Sequence, residues 1–82
     1  MFKPVAVNIA EIYVPSDRRK ELDPEKVEAI AAQIMAEEDV SPIHVRQGKG
    51  RYVLVKGVNR LEARKMLGDT TVQAYVVRAK QH

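Results

Sequence analysis

Apolar positions change their spacing repeatedly along the chain, and each change marks an element. Residues 5–14, "VAVNIAEIYV", are rich in β-branched side chains and predict one strand, or two short ones broken near Asn8. The next stretch, "PSDRRKELD", has no apolar period and reads as an irregular link. In "LDPEKVEAIAAQIMAEE", Val27, Ile30, Ala31 and Ile34 recur at i, i+3, i+4 and i+7, which predicts a helix with one buried stripe. Met35 lies beside that stripe and is expected as a flexible core filler. The start of the helix is marked too. Asp23 can cap it, Pro24 at the first helical position loses no needed donor, and Glu25 and Glu28 sit at the positive end of the dipole. Leu22 and Val27 have the spacing of a hydrophobic staple. The acids on the opposite face are expected in solvent.

The period then shortens to two. "IHVR" alternates, "QGKG" supplies a turn, and "YVLV" is apolar enough for a central strand, so residues 41–57 predict a β-hairpin. Pro42 sits at a strand start, where a missing donor is tolerated. His44 alternates outward and is expected at the surface. Residues 58–67 predict a short helix ending at Gly68, a natural left-handed cap, with Leu61, Ala63 and Leu67 toward the core. Arg60 and Arg64 lie one turn apart on one face. "TTVQAYVV" closes as a strand with Val72, Ala74 and Val76 on one side. The order β(β)-α-β-β-α-β implies an α+β domain, a small mixed sheet with two helices, occupying residues 1–82 as one unit.

Composition changes this picture little, but it removes several chemistries. The 82 residues are 45% hydrophobic and 30% charged, with no cysteine, so disulfides, thiolate metal sites and cysteine nucleophiles are excluded. The two histidines, His44 and His82, do not have metal-site spacing, and the only metal expected is one carried in with a nucleotide. No segment is apolar enough for a signal peptide or a membrane span, and a cytoplasmic protein with no membrane partner is expected. Charge is uneven. Residues 1–39 hold nine acids and five bases, net −4, whereas residues 40–82, including Lys80, hold two acids and nine bases, net +7. A basic half can attract polyanions or simply be solvated.

The junction "VLVKGVNRLEARKMLGD" holds the candidate chemistry. Phosphate binding between a strand and a helix needs close backbone approach, which Gly57 permits. It needs unbonded amide hydrogens, which the first helical turn at Val58, Asn59 and Arg60 supplies. It also needs a compensating cation, and Arg60 offers a forked guanidinium with Lys56 adding a point charge. The other reading of the same residues is a capping box, Asn59 capping the helix with Glu62 three residues on.

Taken together, "IAEIYVPSDRRKELDPEKVEAIAAQI", "SPIHVR" and "RYVLVKGVNRLEARKMLGDTTVQAYVV" resemble the amino-terminal domain of ParB partition proteins, of the ParB/sulfiredoxin fold, from about Ile9 to Val77. The family's Gly-Glu-Arg-Arg-x-Arg-Ala motif, which binds the phosphates of CTP, aligns with Gly57-Val58-Asn59-Arg60-Leu61-Glu62-Ala63. The glycine, second arginine and alanine match. The sulfiredoxin motif Gly-Cys-His-Arg aligns at the same place, and Val58 stands at its catalytic cysteine, which excludes sulfinic acid reduction by that chemistry. The family's Pro-Arg pair falls on "PSDRRKEL", so the resemblance implies Arg19, or Arg18, at the same cleft. The family's third nucleotide motif and helix-turn-helix module are not found in these residues, so the expectation is a domain that acts through a partner.

The resulting expectation is a nucleotide or phosphate ligand, CTP or ATP with magnesium, held by Gly57, Val58, Asn59, Arg60, Lys56, Arg19 and Arg18, in a DNA-associated partition or regulatory setting. One alternative is a nucleic-acid accessory protein using Arg60, Arg64, Lys65, Arg46 and Arg51 on the phosphate backbone. The other is a phosphotransferase or nuclease of the same fold. The sequence leans away from that, with Glu62 the one acid to nominate and no acid cluster for metal chemistry. Strand edges leave room for a homodimer.

Overall fold

The computed structural model describes residues 3–78, so Lys80 and His82 lie outside the described residues. The opening β-branched run divides into β1 (Val5–Asn8), a single 3₁₀ turn at Ile9–Glu11, and β2 (Ile12–Tyr13). The break falls at Asn8, as the sequence implies. The basic link is not wholly irregular, because Ser16–Arg19 form the one-turn helix α1, making three helices where two are expected. Its amides at Arg18 and Arg19 both bond the Pro15 carbonyl. So short a turn leaves no apolar period to read.

Helix α2 (Pro24–Met35) starts where its signals place it. The Asp23 carboxylate accepts from the Glu25 amide at 3.0 Å, and Pro24 occupies the first turn. Val27 and Ala31 are buried, with Ile30 and Ile34 packed beside them against Ala63 and Leu67. Two expectations fail here. Leu22 stays exposed, and Met35 is 73% exposed and fills no core. The reason is the partner: α2 packs on a neighbouring helix and not on the sheet, so only a narrow stripe is covered.

The hairpin forms as β3 (Ile43–Gln47) and β4 (Tyr52–Lys56), followed by α3 (Val58–Met66) and β5 (Thr71–Val77). Gly68, at φ 82°, ends the last helix in the left-handed region. The five strands make one mixed sheet in the order β1-β5-β3-β4-β2. The β1–β5 and β3–β4 pairs are antiparallel, and the β3–β5 and β2–β4 pairs are parallel. Register decides the faces. Val7, Val72, Ala74, Ile43, Val45 and Leu54 point to one side, where Val58 and Leu61 of α3 complete the main core. The opposite side carries Arg46, paired with Val53 and Val77, and His44, paired with Tyr75. His44 is half-buried, its ring edge-on to Tyr75 with centroids 5.4 Å apart.

Candidate functional site

The site begins with a fault in the hairpin. Val45 pairs with Leu54, but His44 pairs with Lys56, so Val55 is an extra residue on β4. Such a bulge re-aims the side chain that follows it. Lys56 thereby lines the same cavity as His44. The chain then turns at Gly57, whose φ is 108°. A β-carbon there would lie 2.8 Å from Cγ2 of Ile43 and 3.3 Å from Nε of Arg60. Gly57 therefore meets two separate demands, a left-handed backbone and a close approach to the core.

Gly57 is the N-cap of α3, and it contributes no side-chain cap. The first intrahelical bond runs from the Leu61 amide to the Gly57 carbonyl at 2.9 Å. The amides of Val58, Asn59 and Arg60 thus have no acceptor within the helix. There is no acid in this first turn. Val58 is held in the core at 7% exposure and anchors the turn.

The capping-box reading of Asn59 is corrected by the structure. Asn59 lies inside the helix, one residue beyond its first position, and its carboxamide turns to the loop before α2. Its Oδ1 accepts from the Asp23 amide at 2.8 Å and its Nδ2 donates to the Glu21 carbonyl at 3.3 Å. Glu62 faces Lys65 at 3.9 Å instead of reaching back to the cap. Local competition for the cap is therefore absent, and Asn59 brings the amino-terminal ends of α2 and α3 together.

Arg60 folds back over Gly57 and donates from Nη1 to the carbonyls of Ser41 (3.2 Å) and Pro42 (2.7 Å). A guanidinium has five N–H donors. Among the described residues no acceptor takes those on Nε or Nη2, so one edge of the fork is fixed and the other is available. Arg60, Lys56, His44, Asp39, Ser41 and Gln33 line a polar cavity of about 480 Å³. The carbonyls of Ser41 and Pro42 were not legible as site groups, since backbone oxygens carry no sequence signal. Strand alternation places His44 at the surface, and its position in the cavity depends on the bulge.

Most of the other candidate residues lie elsewhere. Arg18 pairs with Glu21 at 3.0 Å and lines a different cavity, shared with Arg46. Arg19 is exposed. Arg64 pairs with Asp69 at 3.3 Å and, with Arg60, Ser41 and Pro42, lines a smaller cavity of about 100 Å³. Arg51 lies 4.1 Å over the Tyr13 ring. The structure thus gathers Lys56, Gly57, Val58 and Arg60 at one junction with the Asn59 amide. It does not bring Arg18, Arg46, Arg51 or Lys65 into the same cavity.

Comparison with known proteins gives this geometry a context. A family model described as the ParB N-terminal domain matches residues 3–82. No curated protein matches the sequence. Among solved structures, sulfiredoxin from Arabidopsis thaliana is 26% identical, with a TM-score of 0.80 over 94% of this chain and 86% of that one. The C-terminally truncated chromosome-partitioning protein ParB from Caulobacter crescentus, complexed with CTP-gamma-S, is 24% identical, with a TM-score of 0.79. A free serine kinase in complex with AMP is 16% identical, with a TM-score of 0.71. This chain covers 96% and 94% of itself in those two alignments but spans only 46% and 31% of the respective partners.

Proposed function

The chain belongs to the ParB N-terminal domain family, and from that premise we propose that the start of α3 binds the phosphates of a nucleoside triphosphate. One observation carries the reading: an uncapped helix start, free of acids, has an arginine locked across it. A cation in the first helical turn opposes the helix dipole. Arg60 is nevertheless fixed there by two carbonyls, and an anion between its open edge and the amides of Val58 to Arg60 relieves that opposition. Lys56 adds charge from the strand side, and the backbone at Gly57 lets the anion approach.

Two structural neighbours hold nucleotides, CTP-gamma-S in one and AMP in the other, which supports a nucleotide in preference to free phosphate. Among the described residues no group of three or more His, Cys, Asp or Glu side chains gathers as a metal site. Magnesium would therefore arrive on the triphosphate and be held mainly by it. The setting we propose is that of the family, DNA partition or its regulation, with this domain as the nucleotide-responsive part. Binding through the basic second half directly to DNA has less support. Arg64 and Lys65 are engaged with acids, Arg51 with an aromatic ring, and Arg46 lies in another cavity.

Titration calorimetry with CTP, ATP and GTP, each with magnesium, tests the reading. Saturable heat with at least one of them is expected. Absence of heat with all three removes the proposal.

A further inference from the structure

A second feature of the molecule is not used by the phosphate site. Between α1 and the sheet face opposite the core lies a groove of about 700 Å³. Its floor is aliphatic, formed by Val53, Val55 and Val77. Its rim is cationic, with Arg18, Arg46 and Arg78 around it and Asp17 the one acid. Arg18 is committed to Glu21, whereas among the described residues Arg46 and Arg78 have no acid partner. Both are exposed.

Val77 and Val53 flank Arg46 across three neighbouring strands, β5, β3 and β4, so a cationic residue stands between two valines on one face of the sheet. Water solvates the guanidinium well but gains nothing from the valines beside it. An aliphatic floor inside an arginine rim is the composition of a protein-binding patch. The lining has no aromatic ring on which a base could stack, which disfavours single-stranded nucleic acid. The unpaired charge selects the occupant's sign.

We infer that this groove takes an acidic peptide segment of a partner protein, its apolar side chains on Val53, Val55 and Val77 and its carboxylates against Arg46 and Arg78. The inference stands apart from the nucleotide reading, because the groove shares no lining residue with the Lys56–Arg60 cavity.

The test is a titration of the ¹⁵N-labelled full chain with a short synthetic peptide alternating glutamate and leucine. Amide shifts centred on Arg46, Val53, Val55 and Val77 are expected. Arg46→Glu should weaken the peptide by about tenfold or more, as for a charge reversal at an interface, and Arg60→Ala should leave its affinity unchanged. The inference is overturned by no shifts at millimolar peptide, by shifts centred on Gly57–Arg60, or by equal binding of the peptide with glutamine in place of glutamate. Stronger shifts of the same amides by a single-stranded oligonucleotide would assign the groove to nucleic acid and equally overturn it.

Discussion

Helices α2 and α3 begin side by side, and they begin in opposite ways. The start of α2 is closed: the Asp23 carboxylate caps it, Pro24 removes one orphan donor, and Glu25 meets the dipole with negative charge. The start of α3 has none of these devices, only a glycine, three amides without intrahelical acceptors and an arginine of the wrong sign. Both helices carry the same kind of dipole. One has its field answered within the chain and the other does not. The contrast teaches that α3 is not merely a weaker helix. Its amides are left open beside a cation that is itself firmly held, an arrangement that the proposed anion site needs and a frayed end lacks.

Five substitutions probe that contrast. The largest effect is expected at Gly57→Ala, where the left-handed backbone and the clash with Ile43 together should cost about 2–4 kcal/mol. Gly68→Ala, also left-handed but with nothing within 4 Å, is the control and should cost only about 1–2 kcal/mol. Urea unfolding measures both, and equal losses would mean that Gly57 serves backbone conformation alone. Next is Arg60→Ala, expected to weaken nucleotide binding by about 1.5–3 kcal/mol while costing stability about 1 kcal/mol. Calorimetry on the variant reads the first number, and unchanged affinity would erase the distinction between the two helix starts. Asp23→Ala should do the reverse, lowering stability by about 1 kcal/mol through the lost cap and leaving nucleotide affinity alone. An affinity loss matching that of Arg60→Ala would mean the two ends act as one. The smallest effect is expected at Lys56→Gln, an exposed charge worth about 0.5 kcal/mol of nucleotide affinity, and it should vanish at high salt.

What the sequence revealed, and what it hid, follows from the range of each interaction. The Asp23 cap, the hairpin, and the Gly68 stop depend on neighbours a few residues away, so their signals are local and they were legible. The element order implies the mixed sheet, and Gly57 followed by Arg60 marks the α3 junction, to which the family resemblance points as well. The four-residue helix α1 escaped because one turn has no period. Met35 was misplaced because a stripe of apolar residues says that a helix packs but not how wide its partner is. The capping-box reading of Asn59 fails because its partners, Glu21 and Asp23, lie 38 and 36 residues away. Locally it looked like a cap, and only the tertiary fold turns it into a brace. The position of Lys56 depended on the bulge at Val55, which strict alternation cannot foresee.

The Asp23–Asn59 hydrogen bond has a kinetic consequence. Between its ends run all of α2, the linker and the whole hairpin, so this contact closes a loop of 36 residues. Loop closure is slow to be rewarded, and contacts of high sequence separation delay folding. During synthesis the closed helix start can form as soon as α2 emerges, while Asn59 can reach back to Glu21 and Asp23 only after the hairpin and the start of α3 have followed. The proposed nucleotide site therefore cannot form before α3 has emerged, and a chain that stops between residues 36 and 57 contains α2 without the start of α3.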